Sequence, residues 1–407
     1  MRKLTDLIIE RLSTTPYCNG IDYLLGEGVS QECKPMRVAI LGTFDDKVDK
    51  KLFSFLQLNN IHVKIYTSID DFLKTKHNNF DRIMIGTITR FAHFKKALLE
   101  IGVPENKICQ PKEFNQLAAN FFSDDNSLPH GLNEINDKIK WLNEHEQPIS
   151  AAYDIIEPQS RQLYLDKLTT YLRPECINIF IEFIKKHSAA YHRLGPVPLN
   201  GDRPAYGVEN FLYFFNDLIK FSERVVYVDI GAHVGDSLTY FLRRCSSLGV
   251  EYSSIYCFEP DSLSFQVLAN QSSGSKGISL FNAAITPASG EFRFHSTGFG
   301  GGKLVEGGDN IGLVRGGPLL EFVGPEKVHL IKWDTPGKGT TMEVLSGCGS
   351  VIARDLPSLV IGAYHNVTDI FMLPIKIREL SKNYKIYLSH NSWLYTETDY
   401  YCIPPTN

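Results

Sequence analysis

The chain has 407 residues, with 42 basic against 46 acidic side chains and a formal net charge of −4. That near balance excludes a broad cationic face for nucleic acid, and no apolar run approaches the roughly 18 residues a membrane span needs. The length accommodates two domains, or one large domain with an extension. The eight cysteines are scattered singly with no C-x-x-C pair, which argues against structural zinc and iron–sulfur sites. A reducing cytoplasm is the simplest compartment for them. The start, MRKLTDLIIERLS, is basic, but Asp6, Glu10 and Arg11 break its apolar stretch, so it does not read as a signal peptide.

Residues 1–35 read as an amphipathic helix and a loop. Leu4, Leu7, Ile8 and Leu12 form one stripe. The favoured use of the stripe is packing on its own domain; the other is a homodimer contact. Residues 36–111 alternate strands (MRVAILG, HVKIYTS, FDRIMIGTI) with helices, so they predict a small parallel α/β module. Its first turn, residues 41–46, has one glycine and two acids where a pyrophosphate would sit, which disfavours a dinucleotide there. From 112 to 205 the pattern is mainly helical, with a break expected at Pro148 and an irregular stretch, GPVPLNGDRPAYG, leading out.

The richest stretch is Val225 to Asp261, VVYVDIGAHVGDSLTYFLRRCSSLGVEYSSIYCFEPD. It predicts a buried strand, a glycine turn, an amphipathic helix and a second strand that ends in Glu259-Pro260. Gly231 permits a tight turn and Gly235 a close backbone approach. Free N–H groups at the helix start suit a carboxylate or phosphate, and an acid closing the next strand suits ribose hydroxyls. A dinucleotide site would want G-x-G-x-x-G, whereas this turn reads Asp229-x-Gly231-x-x-x-Gly235. An acid before the first glycine would repel pyrophosphate and could accept a hydrogen bond from an ammonium. S-adenosylmethionine, which carries an ammonium, a carboxylate and a ribose, fits better than NAD. An ordinary turn with no ligand is the bland alternative. The approach to this strand is crowded with Phe211, Tyr213, Phe214 and Phe215, which read chiefly as core packing.

Downstream, GISLFNAAI predicts a strand ending near Asn282-Ala283, where an amide could read adenine edges. In residues 298–317 nine of twenty are glycine, so a loop between strands is expected. A lid over the acceptor, with Lys303 and Arg315 facing an anion, competes with a flexible insert. Val328 to Trp333 is the next central strand and ends at Asp334. Ser358 to Tyr364 is another and ends at His365. A histidine at a strand's carboxyl end is a candidate general base, because its ordinary pKa lies near neutrality; a structural histidine bonding a loop is the alternative.

VDIGAHVGDS, CFEPD, LFNAAITPASGEFRF, VHLIKWDTPG, LPSLVIGAYHNVTDIFMLPIKI and YKIYLSHNSWLYTETDYY together resemble the FkbM family of S-adenosylmethionine-dependent methyltransferases, over about 206–403. The resemblance implies a Rossmann-like class I methyltransferase domain, α/β with helices on both faces of a mostly parallel sheet. The chain then divides into an N-terminal α/β module (1–111), a helical linker or substrate region (112–205) and the methyltransferase domain (206–407). The cofactor would be held by Asp229, Gly231, Ala232, His233, Gly235, Asp236, Ser237, Glu259, Pro260, Asn282 and Ala283. His365, Asp334 and His390, which matches a family histidine, would line the acceptor side, with no metal. The implied reaction is O-methylation of a sugar, a polysaccharide precursor or a secondary metabolite, so the partner is a small-molecule or glycan acceptor. Transfer to nitrogen and a non-catalytic cofactor-binding protein are the alternatives. The chain departs from the family at one point: the acid two places after Asp334 is replaced by Pro336, and Gly337 is kept.

Overall fold

The computed structural model describes residues 3–14, 36–41, 61–66, 69–74, 79–85, 91–109, 135–172, 177–194, 213–214, 216–221, 224–272, 275–296, 302–305, 311–335, 340–392 and 397–405. The first module's turn at 42–46, the loop 195–207, Phe211, Phe215, Pro336 and Gly337 lie outside these residues.

Strands β1 (Met36–Leu41), β2 (Ile61–Tyr66), β3 (Arg82–Ile85) and β4 (Ile108–Cys109) form a parallel sheet in the order β2-β1-β3-β4. Helices α2 (Ile69–Leu73) and α3 (Phe91–Glu100) flank it. The first helix, α1 (Leu4–Thr14), packs on a helical layer made of α4 (Ile135–Glu144), α5 (Glu146–Ile155) and α6 (Arg161–Leu172). Ile8 and Leu12 of its stripe are buried with Trp141 and Leu168. The expected break at Pro148 falls earlier, at His145. Pro148 sits in the first turn of α5, where a missing N–H costs no helical hydrogen bond. The layer continues through α7 (Ile177–His187) and α8 (Ala189–Leu194).

The second sheet has seven strands: β5 (Arg224–Ile230), β6 (Glu251–Phe258), β7 (Ile278–Phe281), β12 (Leu330–Trp333), β13 (Ser358–Gly362), β14 (Lys385–His390) and β15 (Thr398–Ile403). Their order is β14-β15-β13-β12-β5-β6-β7, and only the pairs made by β15 are antiparallel. The unbroken apolar runs of β5 and β13 reflect their burial on both faces. Alternate residues of β5 serve two cores. Val226, Val228 and Ile230 face helices α12 (Thr340–Asp355) and α13 (Asp369–Leu380), whereas Val225 and Tyr227 face α9 (Asp236–Leu248). Tyr213 and Phe214 are buried on the α9 side, as core residues, with Phe214 edge-on to Tyr227. The helical layer caps the β14 edge: Glu157 N donates to Ile386 O, and Ser160 Oγ bonds the Leu388 backbone N–H and carbonyl.

Two expectations change here. GISLFNAAI is not one strand, because it breaks at Asn282 into β7 and β8 (Ala283–Ile285), which belong to different sheets. Asn282 Nδ2 donates to the carbonyls of Glu259 and Pro260, and these bonds hold the break in place. Nor is 298–317 a continuous loop. Within it lie β10 (Lys303–Leu304) and β11 (Ile311–Gly317), which join β8 and β9 (Gly290–His295) in a small sheet ordered β10-β9-β11-β8. Glycine is tolerated in β11 because it is paired on both sides, to β9 and β8. Arg315 is one of these strand residues, with its guanidinium over the Phe322 ring. The side chain of Lys303 and residues 306–310 lie outside the described residues. Among the described residues, no helix is long and apolar enough to cross a membrane.

Candidate cofactor and acceptor site

Strand order reverses between β5 and β12, so their carboxyl ends open a crevice where ligands of α/β sheets bind. The β5 end turns at Gly231 with φ +74°, and a Cβ added there would run into the Asp334 carbonyl oxygen. Gly231 and Ala232 N both donate to Phe258 O, which ties the turn to β6. Gly231→Ala is therefore expected to cost at least the roughly 1–3 kcal/mol of a misplaced left-handed residue, read as a lower Tm. His233 follows at φ +47°, and its backbone N–H, not its ring, is the group used: it donates to Glu259 Oε2 at 2.8 Å. Gly235 is the N-cap of α9 and no side chain caps that helix, whose first turn holds Asp236 and Ser237.

Glu259 closes β6. Oε2 accepts from His233 N and Oε1 from Asp261 N, both at 2.8 Å. Burial pushes this carboxyl up to about 7, against the pull of those two backbone donors. Each oxygen retains acceptor capacity, so the pair of oxygens suits two neighbouring hydroxyls. Asn282 is directed differently from the expectation: its Nδ2 is spent on the Glu259 and Pro260 carbonyls, and its Oδ1 accepts from Ser262. Ala283, next to it, is buried at the start of β8. Asp261 was not foreseen. It caps α10 (Ser262–Gln271) and accepts from Ser296 at 2.6 Å, bringing the small sheet to the crevice rim.

Asp229 is 0% exposed. Its Oδ2 accepts from Ser237 at 2.8 Å and its Oδ1 lies 3.5 Å from Lys332 Nζ. Burial raises the Asp229 carboxyl, and Lys332 and Ser237 oppose the rise. Burial also works against the Lys332 charge, but the carboxylates of Asp229 and Asp334 outweigh it and hold the lysine charged. Lys332 escaped the sequence reading although a signal was there: a lysine inside the apolar run HLIKW.

On the β12 side, Asp334 gathers groups expected to line the acceptor side. His365 Nε2 lies 2.6 Å from Asp334 Oδ1, and the Tyr364 hydroxyl donates to Asp334 Oδ2. Gly362 makes room for this carboxylate, since a Cβ there would stand 2.9 Å from Asp334 Oδ1. Burial pushes Asp334 up, but His365, Lys332 and Tyr364 outweigh it and hold Asp334 well below the usual carboxylate range. Asp334 and His365 are thus brought together. Tyr364, Glu397, whose Oε1 lies 3.1 Å from the Tyr364 oxygen, and Asp399 join them unforeseen. Asp399 is raised well above the ordinary value by burial and then by the Asp334 charge. His390, at the end of β14 opposite Thr398, is fully enclosed, with Nδ1 2.8 Å from Thr398 Oγ1 and its ring edge-on to Phe183. Among the described residues, no group of His, Cys, Asp and Glu could hold a metal ion.

No protein-family profile matches the chain, and no curated protein does. Among solved structures, the methyltransferase FkbM from Methylobacillus flagellatus KT aligns over 98% of this chain and 98% of its own, at 17% identity and a TM-score of 0.56. The chain has that protein's fold. It is the Rossmann-like class I methyltransferase architecture, here with the N-terminal sheet and helical layer included in the match. An rRNA methylase from Streptococcus thermophilus aligns over 51% of this chain and 98% of its own, at 14% identity and a TM-score of 0.31. Aeropyrum pernix fibrillarin with natively bound S-adenosyl-L-methionine aligns over 48% and 76%, at 10% identity and 0.30. Both lie too far from this chain to inform it.

Proposed function

We propose that this chain is an S-adenosylmethionine-dependent methyltransferase that acts on a hydroxyl of a sugar, a polysaccharide precursor or a secondary metabolite. The observation that carries the reading is the Glu259 carboxylate at the end of β6. It is held by two backbone donors, stands beside a left-handed glycine turn, and keeps acceptor capacity for a pair of ribose hydroxyls. The uncapped start of α9 supplies amide donors for a carboxylate. When bound, the cofactor supplies an electrophilic methyl on a sulfonium whose departure leaves a neutral thioether.

The chain's own task is alignment and proton removal. His365, held by Asp334 through Nε2, is the imidazole placed to take a hydroxyl proton. Asp334, ionised, then stabilises the imidazolium. Residues 206–407 would carry the cofactor and acceptor groups, 1–111 the N-terminal module, and 112–205 a helical wall in which buried Lys167 stands over the Tyr171 and Phe183 rings.

Titration calorimetry tests the cofactor: S-adenosylhomocysteine should bind and NAD should not, and the reverse outcome would falsify the reading. Methyl transfer to hydroxyl acceptors, with amine acceptors in parallel, then assigns the nucleophile. Cofactor binding without turnover on either would favour a non-catalytic partner protein.

A further inference from the structure

The parallel register pairs Lys332 of β12 with Asp229 of β5. Both project to the α9 face of the sheet, as Leu330 and Tyr227 do two residues earlier on each strand. There Lys332 Nζ lies 3.5 Å from Asp229 Oδ1 and 3.4 Å from Ser237 Oγ, while the Ser237 hydroxyl donates to Asp229 Oδ2. Asp229 and Ser237 are 0% exposed and Lys332 is 4% exposed. The carboxylate that the sequence offers to a ligand's ammonium therefore has no surface for a ligand to touch. An ammonium of the chain already stands in that place.

We propose that Lys332 is the ionic partner of Asp229 and acts as a positioning residue for the cofactor turn. The brace links the penultimate residues of two central strands to the first turn of α9, and so sets where residues 231–237 stand. A ligand's ammonium is read by other groups. The brace stands on the geometry alone; its consequence for ligand binding rests on the cofactor reading above.

A double-mutant cycle tests the brace without any ligand. Removing one member of a buried pair strands the other charge, whereas removing both does not. Asp229→Asn and Lys332→Met should each lower Tm, and the double variant should melt above Lys332→Met alone. Additive losses would overturn the brace. Two binding measurements test the positioning role. Well below its melting range, Lys332→Met should bind S-adenosylhomocysteine about tenfold more weakly or worse. A control variant destabilised at a remote core residue, Leu142→Ala, should stay near wild type. Equal weakening in both would reduce Lys332 to a stability residue and overturn the role. Deleting the ligand's amine should then cost the same factor in wild type as in Asp229→Asn. A cost seen only in wild type would assign Asp229 to the ligand and overturn the proposal. If wild type binds no S-adenosylhomocysteine at all, the cofactor reading and the positioning role both fall, and the melting cycle still decides the brace.

Discussion

Replacing His365 by alanine is expected to lower kcat for methyl transfer about 10²–10⁴-fold, the usual worth of a placed general base, with S-adenosylhomocysteine affinity almost unchanged. The separation follows from where the groups stand. His365 and Asp334 form a 2.6 Å pair at the ends of β13 and β12, while Glu259, proposed to hold the ribose, ends β6 on the far side of β5. Asp334→Asn should fall as far, because the amide keeps the shape but removes the charge that stabilises the imidazolium. Tyr364→Phe should fall much less, since it removes one donor to Asp334 and leaves the histidine contact in place. Single-turnover rates alongside ligand titration would check all three. Unchanged turnover in His365→Ala would leave the proton to another group.

Glu259 should produce the second large effect, on binding and stability in opposite senses. Its carboxylate would accept from two ribose hydroxyls, and hydrogen bonds to a charged group are worth about 1.5–3 kcal/mol each. Glu259→Ala should therefore weaken S-adenosylhomocysteine binding by about a hundredfold or more. The sign of the stability effect follows from burial, which raises the folded carboxyl from 4.5 to about 7. Between those values the folded state holds a proton that the unfolded state has lost, so stability falls as pH rises. At about 1.4 kcal/mol per pKa unit the loss reaches roughly 3 kcal/mol once the pH passes 7. Glutamine does not titrate. The stability of wild type relative to Glu259→Gln should thus decline by about that amount between pH 5 and pH 8, measured by denaturant unfolding at each pH. A constant difference across that range would place the carboxylate in a wetter setting than the structure shows.

How much of this was legible varies with the range of the interaction. The strand–turn–helix–strand from Val225 to Asp261 could be read because its signals are local: apolar runs, Gly231 and Gly235, and Glu259 at a strand end. The turn's amides were also foreseen as a set, although most of those at 231–235 are spent on Phe258 O, Glu259 and Ala232 O. The pairing of His365 with Asp334 was foreseen as a shared side of the crevice, without the contact itself. Other assignments misjudged reach. Asn282 looked available at a strand end, but local carbonyls take its donors. The glycine density of 298–317 hid β11, since partners on both sides stabilise a strand that propensity alone disfavours.

The amino-acid order by itself determined the α/β class, the position of the glycine turn and the acids at the strand ends, because periodicity and turn chemistry act over a few residues. Which charges meet depends on how the strands are paired in the folded chain. Lys332 comes beside Asp229 through strand register, Tyr364 and His365 close on Asp334 from the end of the neighbouring β13, and burial and the Asp334 charge push the Asp399 carboxyl up. Register and burial join residues far apart in the chain, and in a low-dielectric interior such encounters set both charge state and availability.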